Sequence, residues 1–387
     1  MSAAGDAALA PGVDTPDQAA LRDSVRSLLE KRAGSEEMRA ATRAEHGYDE
    51  SLWSALAGQI GASALGIPET YDGAGASYLE THLVADELGR SLTPSPLLGS
   101  AILAGYALLA SGDEAANAEY LPDVASGVIY GLCWSGEAGW HAPGVTFDGT
   151  TLSGVAKYVL GGDYASTFIV VATDAEGSPT LHVCPADAAG MDATREPVMD
   201  PTRTMATVRF DGVRARRLDM REETMSLLGA VAWAAASAEA VGAAKALVER
   251  TVEYTSQRKQ FGREIGGFQA LKHRMADMYV RSETARSLSY SAAAAVARAF
   301  EIGGGDASPE TARAAAFDAE IEAAAAKVYA TRALSWIAGE AIQLHGGVGI
   351  TWEYDVQLFF KRAHGLATLF GQPHELAEAL EPAAGIR

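Results

Sequence analysis

The sequence predicts an α+β protein in three parts: an N-terminal helical domain, a middle antiparallel β-barrel domain and a C-terminal helical bundle. Three observations support this prediction. Apolar residues recur at helical spacing up to about residue 128, short β-branched runs follow up to about residue 216, and long Ala-rich segments fill the remainder. The predicted parts are a flexible tail over residues 1–15, then domains over 16–128, 129–220 and 221–387.

The N-terminal domain begins with a helix start signal. Thr15 is predicted to be an N-cap, Pro16 the first helical residue and Gln18 the residue that completes a capping box. Apolar residues then recur at helical spacing from Leu21 onward. Further helices are predicted over residues 52–60, 77–92, 97–110 and 115–126, with a turn-rich loop over residues 66–75.

The middle domain is predicted from short runs of β-branched residues. These runs cover residues 167–172, 181–184 and 207–210, and clusters of Gly, Asp and Pro separate them at intervals of roughly ten residues. Short strands at such regular intervals are typical of a small antiparallel barrel or sandwich.

The C-terminal part is predicted to contain long helices over residues 225–257, 267–302 and 309–345, with a turn at residues 303–306. Their many alanines allow helices to approach closely, as in a bundle. Residues 225–244 are nearly free of charge and long enough to suggest a membrane span. Because they contain Glu239 and little Leu or Ile, a buried core helix is the better interpretation.

The overall charge excludes one class of protein. There are 50 Asp and Glu against 31 Lys and Arg, a formal net charge of −19, so a sequence-independent nucleic-acid binder is not expected. Two cysteines without Cys/His spacing predict neither a disulfide framework nor a metal site. Residues 1–14 lack Arg, Lys and any long apolar run, so no presequence is predicted. We expect a soluble, cytoplasmic protein without a membrane partner.

Two clusters could bind a ligand. The first is Arg258-Lys259-Gln260-Phe261-Gly262, followed by Phe268-Gln269 at the start of the next helix. An arginine at such a helix break can bind a pyrophosphate through two hydrogen bonds. The alternative interpretation is a helix C-terminus at which cations face the negative end of the dipole and Gly262 is the cap.

The second cluster is Gln343-Leu344-His345-Gly346-Gly347-Val348-Gly349. Its glycines would let a ligand or another backbone come very close. The spacing differs from GxGxxG and no strand precedes it, so a Rossmann dinucleotide site is not indicated. Taken alone, the cluster is a helix-ending turn with a structural histidine.

Taken together and in this order, the two clusters resemble the C-terminal motifs of the acyl-CoA dehydrogenase family. The loop Ile67-Pro68-Glu69 with Gly73-Ala74-Gly75, and the segment 152–159 before the strand at 169–172, are similar to other parts of that family. The resemblance covers about residues 16–376 and implies the same helical–β–helical fold.

The resemblance implies FAD bound between subunits and oxidation of an acyl-CoA at Cα–Cβ, with electron-transfer flavoprotein as a partner. Arg258, with Phe261 in the same motif, would bind the pyrophosphate of a neighbouring subunit's FAD. Phe268 and Gln269 would line its adenosine side. The residues expected to wrap the adenine diphosphate end are Gln343, Leu344, His345, Gly346 and Gly347.

The chain departs from the family where the chemistry would occur. The usual catalytic Glu falls on Phe370, before Gly371, and an alternative family position for the base falls on Ala232; neither side chain can take a proton. The Thr and Gln that follow the base fall on Gln372 and His374. In the middle domain, the stretch 135–141 lacks the Thr, Pro and Ser-Asp that would bind the flavin ring and has Trp140 and His141 instead.

These departures match one kind of family member, the heterotetramers common in actinobacterial steroid side-chain β-oxidation. There, one subunit supplies the Glu and the flavin-ring pocket, and the other supplies the Arg and Gln-x-x-Gly-Gly contacts. We therefore expect the subunit without a base, with a homologous Glu-bearing partner and an acyl-CoA substrate. Two alternatives stay open: a homotetramer that uses Glu375 or Glu137, and a non-catalytic assembly homologue.

Overall fold

The computed structural model describes residues 13–380, apart from the side chains of His141 and Ala379. The predicted tail over residues 1–15 thus lies outside the described residues except for its last three. Of these, Asp14 forms an ion pair with Arg22 at 2.7 Å, and Thr15 caps the first helix in the predicted capping box with Gln18.

The N-terminal part is helical, as predicted. Its helices are α1 (Pro16–Arg32), α2 (Ser35–Ala41), α3 (Glu50–Ala55), α4 (Tyr78–Ser91), α5 (Gly105–Ser111) and α6 (Glu114–Ser126). Two π-helical turns, Leu56–Ile60 and Leu98–Ala104, adjoin α3 and α5, and a short 3-10 turn covers Glu69–Tyr71. Side-chain caps at Ser77 and Asp113 start α4 and α6, because these oxygens accept otherwise unpaired N–H groups.

The middle part is a mainly antiparallel sheet. The strands are β1 (Tyr130–Cys133), β2 (Ser135–Gly136), β3 (Gly139–Pro143), β4 (Val145–Phe147), β5 (Leu152–Leu160), β6 (Thr167–Thr173), β7 (Pro179–Pro185), β8 (Met191–Glu196), β9 (Met205–Val213) and β10 (Arg216–Arg217).

The strand order corrects the prediction of a purely antiparallel barrel. The main sheet runs β10-β7-β6-β4-β5-β9-β8, and β1 pairs with β6 in parallel; β4 and β6 also meet in parallel at one residue pair. A parallel pair needs a long connection, which β2 to β5 supply. Among the described residues no ladder joins β10 to β8, so pairing does not close the sheet into a barrel.

The C-terminal part is a bundle of long helices. They are α7 (Thr224–Gln257), α8 (Gln269–Gly304), α9 (Pro309–His345), α10 (Val356–Thr368) and α11 (Pro373–Leu380). Helices α7 and α8 are separated by a hairpin of β11 (Lys259–Gln260) and β12 (Arg263–Glu264), followed by a 3-10 turn (Ile265–Gly267). Helix α8 begins later than predicted and includes Gly303 and Gly304, which were predicted to be in a turn.

Helix α7 lies at the centre of the protein. It contains an apolar stretch long enough to cross a membrane, but that stretch is wholly buried against the other helices, as expected of a core helix. Glycines set its distance to α4. A Cβ added to Gly242 would lie 1.9 Å from the Asp86 carbonyl oxygen, and one added to Gly89 would lie 2.4 Å from that of Glu239. The two backbones therefore touch where they cross.

A buried charge network joins the middle part to the bundle. Arg362 on α10 contacts Asp200 at 2.6 Å and Glu239 on α7 at 3.4 Å, and Arg203 also pairs with Glu239. Burial alone would raise the pKa of Asp200, but Arg362 and Arg203 outweigh it and keep that pKa below its ordinary value. The network fixes the loop before β9 against the bundle.

Candidate functional site

The first predicted cluster forms a hairpin beyond the end of α7. Lys259 pairs with Glu264 and Gln260 with Arg263, leaving Phe261 and Gly262 as a two-residue turn. Both turn residues have positive φ, 54° and 80°, as a type I′ turn requires. Glycine adopts this conformation freely, whereas Phe261 does so at a cost. The turn leaves the Phe261 side chain 91% exposed at the tip.

Arg258 lies at the base of this hairpin with an exposed side chain. Its backbone N–H caps α7 by donating to the Tyr254 carbonyl oxygen at 2.9 Å. Within residues 13–380, its guanidinium forms no ion pair with a carboxylate. The alternative interpretation is therefore wrong in its cap, because Arg258 is the C-cap of α7 and Gly262 lies in the hairpin turn. The Arg258 guanidinium is available to an anion.

The aromatic and amide side chains of the cluster lie beside it. The Phe268 ring lies 6.2 Å from the Phe261 ring, edge to face, and the Arg263 guanidinium lies 4.0 Å above Phe268. Gln269 is exposed at the first turn of α8, with its amide nitrogen 3.4 Å from a ring nitrogen of His273. Cations, π faces and amides thus share one surface.

The second cluster ends α9. Gly346 has φ 63°, and a Cβ added to Gly346 or Gly347 would meet nothing within 4 Å, so this backbone is open to approach. Gln343 is exposed, but the side chains of Leu344 and His345 are buried. These two predicted cofactor-binding residues could therefore contact a ligand only through their backbone.

His345 instead joins the two clusters. Its ring stacks on Tyr254 with centroids 4.3 Å apart, and the Tyr254 hydroxyl donates to the His345 carbonyl oxygen at 3.3 Å. Nδ1 of His345 donates to the Ala341 carbonyl oxygen at 2.7 Å, and burial lowers the pKa of the ring. A neutral, structural histidine thus holds the C-terminal ends of α7 and α9 together.

The exposed residues of both clusters, with the half-buried Phe268, are here called the motif surface; the contact between Tyr254 and His345 brings the two clusters together. The members of the motif surface are Arg258, Phe261, Phe268, Gln269, Gln343, Gly346 and Gly347. Exposed apolar residues follow the glycines, since Ile350 is 70% and Trp352 68% exposed. The motif surface thus combines a cation, amides and open backbone with neighbouring apolar area.

The predicted base position lies elsewhere. Phe370 is buried, and its ring centroid lies 4.6 Å from that of Trp140, which in turn lies 3.8 Å from that of Trp134. We call these three rings the aromatic plug. The cavity that touches all three rings has a volume of about 10 Å³, at the lower limit for one water molecule.

The alternative base position adjoins the plug. Ala232 is fully buried in α7, and the indole N–H of its neighbour Trp233 donates to the Phe370 carbonyl oxygen at 2.8 Å. Trp233 and Arg258 are separated by about 37 Å along α7, at about 1.5 Å per residue. The plug and the motif surface therefore lie towards opposite ends of one long helix.

Neither carboxylate named as a substitute base faces the plug. Glu375 is exposed and accepts the Gln372 backbone N–H at 2.7 Å, which caps α11. Glu137 is exposed in the two-residue turn between β2 and β3. Both carboxylates are thus exposed, and that of Glu375 caps a helix.

Two charged residues near the plug were missed by the sequence analysis. Glu320 is partly buried and lines a pocket of about 330 Å³ together with Trp134, Trp140 and Trp233. Lys327 is completely buried and donates to the Gly371 carbonyl oxygen. The available signal was a charged residue among the alanines of a predicted core helix.

The cysteines and metal-ligating side chains suggest no further chemistry. Cys133 and Cys184 are both buried, and burial raises the pKa of the Cys184 thiol to about 12. Among the described residues, no three His, Cys, Asp or Glu side chains lie close enough together to hold a metal ion.

Comparisons with known proteins agree with this fold. The family model of the acyl-CoA dehydrogenase N-terminal domain matches residues 15–128, and that of the C-terminal domain matches residues 232–374. Acyl-CoA dehydrogenase IpdE2 of Mycolicibacterium smegmatis is 38% identical over 363 residues, which are 93% of this chain and 96% of that protein.

Solved structures give the same result. The Tcur3481-Tcur3483 steroid ACAD G363A variant is similar with a TM-score of 0.82 and 26% identity, over 95% of this chain and 98% of that one. The ChsE4-ChsE5 complex from Mycobacterium tuberculosis has a TM-score of 0.84 at 24% identity, over 97% and 99% of the two chains, a likeness of fold. With the two family models and the full-length relative, this likeness shows that the chain belongs to the acyl-CoA dehydrogenase family.

Proposed function

We propose that the chain is the subunit without a base in a heteromeric, FAD-dependent acyl-CoA dehydrogenase. A homologous partner supplies the catalytic Glu and the flavin-ring pocket. One contrast supports the proposal: the motif surface offers an exposed guanidinium, amides and open backbone, whereas the aromatic plug fills the position at which the resemblance predicts the base. The alternative of a pure assembly protein gives no reason for such a surface.

The motif surface fits the phosphate and adenosine end of FAD, the cofactor that family membership supports. Arg258 can offer a pyrophosphate two parallel N–H donors, because its guanidinium is exposed and lacks an ion pair among the described residues. Gln269 and Gln343 can bind polar edges of the nucleotide, and Phe268 offers a ring face. The backbone at Gly346 and Gly347 can approach closely.

The plug explains why the base must come from another chain. FAD, when bound, supplies the acceptor for the β-hydride of the acyl thioester, and a carboxylate must remove the α-proton. Phe370 has no group that can accept a proton, and Trp140 occupies the adjoining space. This side of the chain therefore contributes shape and packing, while the partner contributes the proton transfer.

The separation of the two regions supports sharing between subunits. At about 37 Å along α7, the motif surface and the plug are too far apart to serve one cofactor in the same chain. The nucleotide end held here thus belongs to a flavin whose ring lies in the partner. Exposed Phe261, Ile350 and Trp352 supply apolar area that a partner would cover.

The names of similar proteins support a proposal for the substrate class. One similar structure is named a steroid ACAD and another is a complex of two differently named chains. We propose that the complex acts on a bulky acyl-CoA, such as that of a steroid side chain, and passes electrons to electron-transfer flavoprotein. We place this activity in the cytoplasm.

A second candidate is a self-sufficient homotetramer. The observation that favours it is Glu320, a carboxylate in a pocket of about 330 Å³ beside Trp140 and Trp233. In that enzyme, Glu320 would take the α-proton in place of the family's Glu.

Acyl-CoA oxidation separates the two candidates. The chain should be inactive alone and active after co-purification with a Glu-bearing homologue, and Glu320→Gln should leave the activity of the complex unchanged. Activity of the chain alone that Glu320→Gln abolishes would establish the homotetramer. Glu322→Gln, the same change two residues further along α9, is the matched control.

A further inference from the structure

Lys327 is the most deeply buried charged side chain near the plug. It lies on α9 with no exposed surface, and its Nζ donates to the carbonyl oxygens of Gly371 and, at 3.5 Å, of Ala367. Burial lowers the pKa of this amine to about 7, and Glu375 opposes the shift only in part. Burying an amine costs free energy unless it is hydrogen-bonded, and these two carbonyl oxygens are the partners of the Lys327 amine.

A second donor forms a hydrogen bond to the preceding peptide group. The indole N–H of Trp233 on α7 donates to the Phe370 carbonyl oxygen at 2.8 Å. Two consecutive carbonyls, those of Phe370 and Gly371, are therefore bound by donors from two different helices. Together they fix both peptide planes of the turn over residues 369–372.

The turn has a conformation that needs such support. Phe370 and Gly371 both have positive φ, 61° and 97°. A phenylalanine is strained in this left-handed region, and such residues persist where their surroundings over-determine them. This geometry directs the Phe370 ring onto Trp140, whose own indole N–H is buried without a hydrogen-bond partner among the described residues.

We propose that Lys327 is a positioning residue: with Trp233, it clamps the turn over residues 369–372 and so keeps Phe370 wedged in the aromatic plug. The plug is held by this clamp as well as by the bulk of its rings. The role of the plug rests on the proposed function, but the clamp itself is a property of this chain. Its failure and that of the proposed function are therefore separable.

The test compares Lys327→Met with the unmodified full chain by hydrogen–deuterium exchange and tryptophan emission. Methionine keeps the length of the side chain and removes the donor. Loss of one such hydrogen bond should speed exchange over residues 365–376 by about tenfold or more while α7 stays protected. Tryptophan emission should shift to longer wavelength as Trp140 and Trp134 gain exposure, and Phe370→Ala should give the same shift.

Two further variants keep the test decisive. Lys245→Met, at an exposed lysine of α7, should change neither signal. If Lys327→Met loosens the whole bundle, Trp233→Phe replaces it, since it removes the other donor and should speed exchange in the same segment. Unchanged exchange over residues 365–376, in Lys327→Met or in the replacement variant, would overturn the clamp whatever flavin the complex contains.

Discussion

At the scale of single residues, the turn at Phe370 and Gly371 is bound by donors from α7 and α9. It presents a phenyl ring at the position where the family resemblance predicts a carboxylate. That Phe370 stands at the position of the base stays a prediction from sequence counting; the structure shows its ring against the bulky Trp140. Sequence counting could not identify Lys327 or Glu320, because one charged residue in an Ala-rich helix does not reveal what it faces.

The role of Arg258 is tested by Arg258→Ala in the purified complex. Loss of a charge-assisted pair with the pyrophosphate should weaken FAD binding by about 1.5–3 kcal/mol, and Arg258→Lys should recover only part of it. Flavin titration of the apo-complex measures this, with Arg332→Ala, at an exposed arginine of α9, as control. Equal FAD affinity in Arg258→Ala and the control would show that Arg258 has no cofactor role.

The role of Phe370 is tested by placing the family's residue there. Phe370→Glu should not create acyl-CoA oxidation in the chain alone, because Trp140 still occupies the adjoining space. It should also destabilise the chain by roughly several kcal/mol at neutral pH, or raise the pKa of the new carboxyl, since its site is apolar. Phe370→Gln introduces a side chain with the shape of Glu but without its charge, so comparing the two variants shows how much of the destabilisation is due to the charge. Turnover with added FAD and an artificial acceptor, well above that of the unmodified chain, would contradict the plug.

Lys327 makes a pH prediction. Its pKa is about 7 in the folded chain, below the ordinary 10.5, so between these values the unfolded chain binds the extra proton. Stability from this group therefore rises with pH over that window. Between pH 7 and 9, the free energy of unfolding of the unmodified chain should rise by about 2 kcal/mol relative to that of Lys327→Met. Urea unfolding of both proteins at pH 7 and at pH 9 checks this. The same difference in unfolding free energy at both pH values would mean that the pKa of the Lys327 amine is not lowered.

At the scale of elements, helices were predictable where caps and spacing act locally. Thr15, Ser77 and Asp113 cap helices close to where the sequence predicts them. The parallel ladder between β1 and β6 was not predictable, because it joins segments more than 30 residues apart and no local pattern specifies register across that distance. The π-helical turns likewise depend on tertiary packing.

The crossing of α4 and α7 yields an element-scale prediction. Gly242→Ala would place a methyl group 1.9 Å from the Asp86 carbonyl oxygen, forcing two central helices apart. We expect a loss of roughly 3 kcal/mol or more in the free energy of unfolding. Gly339→Ala on α9 meets nothing within 4 Å and should be neutral or stabilise by about 0.5–1 kcal/mol. Denaturant midpoints that fall equally in both variants would contradict this account of the crossing.

At the scale of the whole molecule, the chain has the exposed motif surface near one end of α7 and the aromatic plug towards the other. Arg258 and Gln343 are 85 residues apart, so the contact between their neighbours Tyr254 and His345 could not be predicted from spacing. Under the proposed function, the motif surface and the plug complete an enzyme site together with a second, different chain.

The amount of flavin in the assembled complex tests this central claim most directly. The chain is co-expressed with a Glu-bearing homologue, and bound FAD is measured by absorbance against the protein concentration of the purified particle. Sharing of each flavin between two unlike chains predicts two FAD per four chains, about 0.5 per chain, and a colourless chain when it is purified alone. Four FAD per four chains, or a yellow homomeric particle that oxidises acyl-CoA, would contradict the account.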